Sequence, residues 1–366
     1  MFKNKVVASL AGFAFPEEVG EVLALAIASG RNVIFFGPAG HGKSEMLKTA
    51  LGAVDPFVLS FGEGMTEDKI YGGIDFAAMN RAEDPVLQYN TKNSFLMKEF
   101  AIFEELFDAP SNVLLSLKDT LTAKELRAGA QRVPSKTRLV VALTNKSPSD
   151  MADLGPSVQA LTERFPLQHE VRWTSYDRYS YRSMFEATDR GESPVTPTDI
   201  DDVRIAKSAV TVTSTVMSAY LHLLEDAATA GRPPSPRIAR AGLDVIKANA
   251  AINGRNEASL SDIEVIRYLG ISVANYMEEI SKKLRHEKIQ NSLKVLESEL
   301  TELREKMGVI TTPIPALQIM KAARDLGNRV NSVAVTDDLV TYRDSIVKSV
   351  NDLGKAALKR AEDVTK

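Results

Sequence analysis

The stretch NVIFFGPAGHGKSE, residues 32–45, passes from four apolar residues into a glycine-rich loop that closes on a lysine and a serine. Residues 37–44 fit the pattern G-x-x-x-x-G-K-S/T without deviation. The context is also the required one, because an apolar, strand-like segment precedes the loop and a helix-like segment follows it. The stretch therefore predicts a phosphate-binding loop (P-loop) inside an α/β domain.

The residue types of this loop suit a nucleoside triphosphate bound together with magnesium. Glycines let successive backbone N–H groups turn toward phosphate oxygens, and the helix that follows adds the positive end of its dipole. We expect Lys43 to reach the β- and γ-phosphates and the Ser44 hydroxyl to ligate Mg²⁺. His41 is interpreted as a loop residue rather than a catalytic base. The predicted cofactors are ATP and Mg²⁺, and the predicted nucleotide contacts are Gly37, Pro38, Ala39, Gly40, His41, Gly42, Lys43, Ser44 and Glu45.

Apolar segments alternate with helix-like segments on both sides of the P-loop. This alternation favours a parallel sheet that is covered by helices on both faces. We therefore predict an αβα nucleotide-binding core over residues 1–186. The predicted strands are residues 31–36, 56–61, 99–103, 137–145 and 165–173.

The composition changes at residues 187–200, which are rich in Gly, Pro, Ser and Thr and are predicted to be a linker. Helical segments follow, and they divide into a subdomain over 198–270 and a C-terminal extension over 271–366. Two pairs have the spacing of a capping box at a helix start. These pairs are Thr198 with Asp201 and Ser259 with Asp262.

The C-terminal extension carries a seam of apolar residues at alternating spacings of three and four, which is typical of a coiled coil. It is interpreted either as a docking or oligomer element or as a packed helical bundle. The seam is Leu293, Leu296, Leu300, Leu303 and Met307.

Composition excludes several classes of protein and of site. The 366 residues include no cysteine, which excludes disulfides, thiolate metal sites and cysteine nucleophiles. A net charge of −3 gives no global reason to expect binding to nucleic acid or lipid. No uninterrupted apolar stretch reaches the roughly 18 residues that span a bilayer. The segment MFKNKVVASLAGFAF at the start is not interpreted as a signal peptide, because acidic residues and the nucleotide-binding domain follow at once. A cytoplasmic protein is predicted.

Two acidic residues follow the predicted strand at 99–103. Glu104 is expected to hold Mg²⁺, directly or through water, and Glu105 is expected to orient and activate the attacking water. Asn145 ends the next predicted strand, where its amide could hydrogen-bond both the water and the γ-phosphate. Taken alone, acids at a helix start and an Asn at a strand end are also ordinary features of a surface.

Two arginines complete the candidate site. Arg164 stands just before the last predicted strand and could reach the nucleotide of a neighbouring subunit. Arg237 lies in the first turn of a helix that begins with Ser235 as N-cap and Pro236 at the first position. There it could touch the γ-phosphate, within its own subunit or in another, and Arg240 is the substitute candidate. Taken alone, each is more simply a surface arginine.

Taken in order, these motifs resemble the MoxR branch of the AAA+ ATPases, especially its RavA-like members. The resemblance covers roughly residues 15–270, and the ordered set of motifs, including TEDKIYGG between the P-loop and the acidic pair, is specific for the branch. The motifs are GPAGHGKS, MTEDKIYGGIDF, AIFEELFDAPSNVLLSLKDTL, VVALTNKSP, LTERF and SPRIARAGL.

The resemblance implies an AAA+ core, a small helical lid over residues 198–270, and an ATP-hydrolysing homohexameric ring. Members act as chaperone-like remodellers beside a protein with a von Willebrand A (vWA) domain, so a partner of that kind is expected. The matching positions are Lys43 and Ser44 (Walker A), Glu104 and Glu105 (Walker B), Asn145 (sensor 1), Arg164 (arginine finger) and Arg237 (sensor 2).

The sequence departs from the family in one respect, because Walker B usually reads Asp-Glu and here reads Glu-Glu. The longer first carboxylate changes the metal geometry and with it the expected turnover. Two segments fall where the branch carries hairpin insertions, which are expected to face the pore or the surface of the ring. They are residues 79–95 and 121–138.

Three functions are compatible with these residues. The first is an ATP-hydrolysing remodeller of partner proteins. The second is a nucleic-acid motor, against which stand the acidic net charge and an aromatic content of only 7%. The third is a nucleotide switch that does not hydrolyse ATP and that scaffolds an assembly, an alternative that Glu104 keeps open.

Overall fold

A five-stranded parallel sheet forms the centre of the structure, which is a computed structural model. The predicted strands and their parallel arrangement are confirmed. The strand order is β2 (Phe57–Ser60), β3 (Phe100–Glu104), β6 (Leu139–Thr144), β1 (Val33–Phe36) and β7 (Leu167–Glu170), so β6 lies between the P-loop strand β1 and the acidic strand β3. The structure describes residues 1–13, 16–80, 88–171, 178–186, 194–308, 312–335 and 337–365.

The sequence explains which strands lie in the middle of the sheet. Strands β1 and β6 are runs of apolar residues that are buried at every position, as expected of strands covered on both faces. Strand β2, at one edge, alternates between half-buried and exposed residues. The strands are β1 (Val33–Phe36), β2 (Phe57–Ser60), β3 (Phe100–Glu104), β4 (Glu125–Ala128), β5 (Gln131–Pro134), β6 (Leu139–Thr144), β7 (Leu167–Glu170), β8 (Thr211–Val212) and β9 (Glu257–Ala258).

The chain divides into two compact units, Met1–Val273 and Ala274–Lys366. The first unit holds the sheet and twelve of the described helices. These are α1 (Phe2–Ser9), α2 (Pro16–Ser29), α3 (Lys43–Leu51), α4 (Glu67–Tyr71), α5 (Phe76–Met79), α6 (Ser111–Ala123), α7 (Pro148–Asp153), α8 (Pro156–Thr162), α9 (Arg178–Glu186), α10 (Pro197–Ala209), α11 (Ser214–Thr229) and α12 (Pro236–Ile252). Short 3₁₀ segments lie at Gly52–Val54, Thr91–Asn93, Phe95–Met97, Leu106–Asp108 and Leu260–Leu269.

The N-terminal helix α1 is part of the first unit and packs on α2. Its Val6 side chain is fully buried. The approach is close at Gly20 of α2, where a Cβ atom would lie 2.8 Å from a methyl carbon of Val7. Within the described residues, no helix combines the length and the apolar character that crossing a membrane requires.

One of the two expected hairpin insertions is confirmed. Strands β4 and β5 form an antiparallel pair directly after α6, with Glu125 opposite Pro134. Residues 81–87 of the other insertion lie outside the described residues, as do residues 187–193 of the predicted linker.

Capping chemistry fixes the starts of the later helices in unit 1. The predicted box of Ser259 and Asp262 is present at the start of the 3₁₀ segment Leu260–Leu269. The predicted box of Thr198 and Asp201 is wrong, because α10 begins two residues earlier with Thr196 and Asp199. Pro197 explains the difference, since proline is favoured at the first position of a helix. Helix α12 has Ser235 as its N-cap and Pro236 at its start, as predicted.

The second unit consists of helices α13 (Ala274–Gly308), α14 (Pro313–Ser332) and α15 (Val340–Thr365), with a 3₁₀ turn at Asp337–Leu339. The predicted seam of α13 is used inside the unit. Leu293, Leu296 and Leu300 are buried in one cluster with residues of α14 and α15, and Leu303 and Met307 pack against it half-buried. A packed helical bundle is therefore present, and the seam needs no outside partner to be buried.

Candidate functional site

The P-loop connects β1 to α3 in a conformation that its glycines permit. Gly37, Gly40 and Gly42 have φ angles of 149°, 82° and 72°, which residues with a side chain rarely adopt. Gly42 is the N-cap of α3 and offers no side chain to the helix start. The first helical hydrogen bond is donated by Met46 to Gly42. The backbone N–H groups of Lys43 and Ser44 precede this first helical hydrogen bond, and N–H groups at this position of a helix are suited to binding an anion.

Lys43 is buried under the loop that it follows. Its Nζ donates to the carbonyl oxygens of Gly37 at 2.6 Å and Pro38 at 2.7 Å, and to Oδ1 of Asn145 at 3.3 Å. Burial lowers the pKa of the Lys43 ammonium, while the nearby Glu105 carboxylate acts in the opposite direction. Burial and the charge of Lys43 also lower the pKa of His41, so that its imidazole is neutral at pH 7.

Glu105 and Asn145 form a pair at the carboxyl edge of the sheet. The Glu105 carboxylate accepts from the Asn145 side-chain Nδ2 at 2.6 Å and from its backbone N–H at 3.3 Å. Glu105 has a φ of 53°, in the left-handed region that costs a residue with a side chain of the order of 1 kcal/mol. Because β6 lies between β1 and β3, Asn145 joins Lys43 to Glu105 and brings the three predicted residues together.

The other predicted carboxylate, Glu104, ends strand β3 and turns toward helix α3. Its Oε1 lies 2.9 Å from Nζ of Lys48. This oxygen is buried and has no hydrogen-bond partner in the described residues, because the contact with Lys48 lacks hydrogen-bond geometry. Lys48 stands one turn after Ser44 on α3, so the hydroxyl and the carboxylate belong to the same corner of the site.

These residues fit a magnesium ion that is shared with a phosphate ligand. Mg²⁺ binds through one or two carboxylates, waters and substrate phosphates rather than in an all-protein cage. A buried carboxylate oxygen without a hydrogen bond and a hydroxyl at the helix start provide such ligands. The described residues contain no cluster of three acidic or histidine side chains that could hold a metal by themselves, as expected for a site of this kind.

Arg164 lies at the amino ends of the strands, which form the amino edge of the sheet, whereas the P-loop lies at their carboxyl ends. Arg164 precedes β7, and its backbone carbonyl accepts from Nδ2 of Asn32, which precedes β1, at 3.0 Å. A strand rises about 3.3 Å per residue, which places the start of β1 roughly 16 Å from the P-loop. The Arg164 side chain is held in place, since Nε donates to the Thr122 hydroxyl at 2.9 Å and Nη1 donates to the Ala160 carbonyl at 2.8 Å.

Arg237 lies beside Arg164 and not at its own P-loop. Both guanidinium groups approach the carboxylate of Glu163, at 3.7 Å from Arg164 and 3.6 Å from Arg237. Burial, followed by the nearby charge of Arg237, lowers the pKa of Arg164. Both arginines line a cavity at the amino edge of the sheet. Arg240, the substitute candidate, is exposed on α12.

Comparison with known families agrees with this arrangement. A sequence profile of the MoxR domain in the MoxR–vWA–β-propeller ternary systems matches residues 3–190. The chain belongs to this MoxR domain family. The matched residues include Lys43, Glu104, Glu105, Asn145 and Arg164, and they end before α10.

Solved structures support the fold of this MoxR domain protein. A crystal structure described as that of a candidate ATPase from Cytophaga hutchinsonii superimposes with a TM-score of 0.57. Its sequence is 18% identical, and the match covers 73% of this chain and 86% of the other. At this identity the likeness concerns the AAA+ fold alone. No curated protein matches the chain significantly.

Two lysines of this MoxR domain were missed by the reasoning from sequence. Lys48 contacts Glu104, and Lys124 lines the same cavity as Arg164 and Arg237. Lys48 could have been found from the sequence, because residues four apart on a helix share a face and Ser44 was already assigned to the site. Lys124 could not, since it lies in a predicted insertion and meets the arginines only through the fold.

Proposed function

We propose that this chain is a Mg²⁺-dependent ATPase that assembles into a homohexameric ring and remodels or activates partner proteins. One observation carries the proposal: Lys43, Asn145 and Glu105 are linked by hydrogen bonds at the end of the sheet where the P-loop lies. Lys43 is a cation that can bind phosphate, Asn145 supplies an amide, and Glu105 supplies a carboxylate. Phosphoryl transfer to water requires groups of these three kinds.

Each group in this arrangement has a distinct part in the proposed reaction. The N–H groups of the P-loop and Lys43 bind the phosphates. Glu105 accepts a proton from the attacking water, and Asn145 holds the carboxylate in position. Ser44 and Glu104 hold Mg²⁺, which supplies charge neutralisation at the phosphates when it is bound. When a phosphate binds, the Lys43 ammonium gives up its hydrogen bonds to the carbonyl oxygens of Gly37 and Pro38 and donates to the phosphate instead.

Arg164 acts in trans in this proposal. Its distance from its own P-loop, at the far edge of the sheet, supports a role at the nucleotide of an adjacent subunit. Arg237 shares that position and therefore also faces a neighbour. The RavA-like assignment, the ring of six subunits and a cytoplasmic location rest on the family resemblance.

The proposed partner is a protein with a vWA domain. The description of the matching family names a vWA protein and a β-propeller protein as the other components of its systems. We extend both to this chain as candidate partners, the vWA protein first because the sequence resemblance also points to it.

A second function is favoured by the contact between Lys48 and Glu104. An ammonium at 2.9 Å from a metal-binding carboxylate competes with the metal for that oxygen. If the competition holds at cellular Mg²⁺ concentration, the chain binds ATP without turning it over and serves as a nucleotide switch in an assembly.

Replacing Glu105 by Gln tests the proposed ATPase. Glutamine keeps the size of the side chain but cannot take a proton, and the loss of a general base typically slows a reaction by about 10²–10⁴-fold. Glu105→Gln should therefore bind a fluorescent ATP analogue with Mg²⁺ like the wild type and release phosphate far more slowly.

Glu104→Gln is the matched comparison, because it should instead raise the Mg²⁺ concentration needed for half-maximal rate. Normal turnover by Glu105→Gln with an inactive Glu104→Gln would reverse the two assignments. A wild-type chain that binds ATP without releasing phosphate would establish the switch.

A further inference from the structure

The cavity at the amino edge of the sheet, called here the amino-edge cavity, has a volume of about 220 Å³. Four cationic side chains line it: Arg31, Lys124, Arg164 and Arg237. They come from distant parts of the sequence, namely the turn between α2 and β1, the turn between α6 and β4, the loop before β7 and the start of α12. The fold thus gathers positive charge at one place on unit 1.

Acidic side chains neutralise this charge only in part. Arg31 forms an ion pair with Asp244, which also pairs with Lys207 of α10. Arg164 and Arg237 share the single carboxylate of Glu163. Asp119 acts on Arg164 from a greater distance. The cations of the cavity therefore outnumber the carboxylates that contact them, and the cavity is suited to an anion.

Lys124 is the cation without a counterion. Within the part of the chain that the structure describes, its ammonium has neither an ion pair nor a hydrogen-bond partner. Burial and the nearby charge of Arg31 lower the pKa of Lys124, but the residue as a whole is exposed at the surface. An anion that reaches the cavity from outside is attracted by Lys124 and Arg31 together, because these two like charges lie close to each other.

The backbone of Lys124 is fixed at the same time. Its φ of 56° is left-handed, a conformation that stores strain in a residue with a side chain. Its carbonyl accepts from the N–H of Ser135 at 2.9 Å, which closes the base of the β4–β5 hairpin. The hairpin therefore fixes the direction in which the Lys124 side chain extends from the backbone.

The amino-edge cavity lies one strand length away from the P-loop of the same subunit. This distance separates the cavity from a nucleotide bound in the same subunit, so a phosphate ligand of the cavity has to come from elsewhere. We propose that Lys124, together with Arg164 and Arg237, binds the terminal phosphate of a nucleotide that sits in the P-loop of an adjacent copy of this chain. This inference rests on the proposed ring-forming ATPase and adds a third group to its trans-acting site.

Lys124→Asn tests the inference, because asparagine removes the charge and tolerates the left-handed backbone. Lys92→Asn is the matched control, since it removes one exposed lysine of unit 1 outside the cavity. We expect Lys124→Asn to bind a fluorescent ATP analogue and to form rings like the wild type. Its kcat should fall by about 10²-fold, the usual effect of removing one charge-stabilising donor. Lys124→Arg should recover part of the rate, and Lys92→Asn should match the wild type.

Mixing subunits separates a trans role from a structural one. Lys124→Asn supplies an intact P-loop, and Lys43→Ala supplies an intact Lys124, so a mixed ring should hydrolyse ATP faster than either variant alone. Arg164→Ala mixed with Lys43→Ala is the reference for the proposed function. Ring composition is confirmed by native mass measurement.

The outcomes distinguish the inference from the function on which it rests. If Arg164→Ala is inactive and regains activity on mixing, the trans site stands. Wild-type turnover by Lys124→Asn, or a loss that mixing does not restore, then overturns the inference alone. If neither Arg164→Ala nor Lys124→Asn affects the rate, or the wild type forms no ring, the proposed trans site itself fails. Should Lys124→Asn not fold, Lys124→Gln is measured in the same way and judged by the same outcomes.

Discussion

At the scale of single residues, the site combines a strained backbone with short polar contacts. Of the residues with side chains in the described part of the chain, Asp55, Glu105 and Lys124 have a positive φ. Two of these three carry proposed functions, one at each edge of the sheet. Strain of this kind persists only where the surrounding structure fixes it. In Glu105 it is fixed by the contact with Asn145, and in Lys124 by the closed base of the hairpin.

Lys43 is the residue on which nucleotide binding should depend most. Its Nζ already lies under the P-loop, so it reaches a phosphate without a large movement. Lys43→Ala should abolish binding of a fluorescent ATP analogue, because the polyphosphate loses its main side-chain cation. Lys92→Ala, which removes an exposed lysine away from the loop, should bind as the wild type does. Wild-type affinity in Lys43→Ala would contradict the P-loop assignment.

At the scale of elements, helices α10 and α12 are tied to the core by one carboxylate. Asp244 of α12 pairs with Lys207 of α10 and with Arg31, which stands just before β1. Burial by itself raises the pKa of Asp244, but hydrogen bonds from Lys207 and Arg31 and their charges bring it below the ordinary value. The helical part of unit 1 therefore depends on an ionised carboxylate at its contact with the sheet.

The stability of unit 1 should accordingly depend on pH through Asp244. A carboxyl whose pKa is lower in the folded state stabilises the fold above its unfolded pKa, near 3.9, and loses this effect as the pH falls through its folded pKa. Asp244→Asn should lower the free energy of unfolding at pH 7 by about 1–2 kcal/mol. The difference from the wild type should shrink below about pH 4.

Urea unfolding followed by circular dichroism at several pH values measures this effect. Asp201→Asn is the control, since Asp201 forms an exposed ion pair with Arg138. Its replacement should lower the free energy of unfolding by about 0.5 kcal/mol or less. If the difference in unfolding free energy between Asp244→Asn and the wild type stays constant from pH 7 to pH 3.5, Asp244 acts through packing and not through its charge.

At the scale of the whole molecule, charge and the packing of unit 2 limit which partners the chain can bind. The net charge is −3, and Arg127 of the β4–β5 hairpin is paired with Glu125. Neither feature favours a pore that tracks DNA. In unit 2, Leu293, Leu296 and Leu300 of the predicted seam are buried within the bundle, and Leu303 packs against it half-buried. Any docking by unit 2 therefore has to use its outer surface.

The ring is expected to bind a vWA-domain partner and to be indifferent to DNA. Glu105→Gln loaded with ATP should retain the partner in a pulldown, whereas Lys43→Ala should not, because only the first holds the nucleotide. Long single- or double-stranded DNA should change the ATPase rate little at physiological salt. A strong stimulation by DNA that falls steeply with salt would instead support the nucleic-acid motor.

The sequence by itself determined those features that depend on neighbours along the chain. The P-loop is one contiguous pattern, the strands are continuous apolar runs, and the cap at Ser235 needs only the following proline. By the same local rules, Pro197 at the first helical position indicates that α10 begins with Thr196 as its N-cap. These rules also placed Glu105 and Asn145 at the ends of two successive strands of a parallel sheet. The structure shows that these strands are neighbours, which brings the two residues into contact.

Only the tertiary structure decided which residues from distant segments meet. Lys48 contacts Glu104 at the end of β3, and its spacing from Ser44 indicates the face of α3 on which it lies but not this partner. Arg237 lies beside Arg164 because α12 packs against α2 at the amino edge of the sheet, so a residue expected at a γ-phosphate is turned away from its own P-loop. Lys124 meets these arginines for the same reason. Such contacts depend on how whole elements pack, and their partners lie too far apart in the chain for local spacing to indicate them.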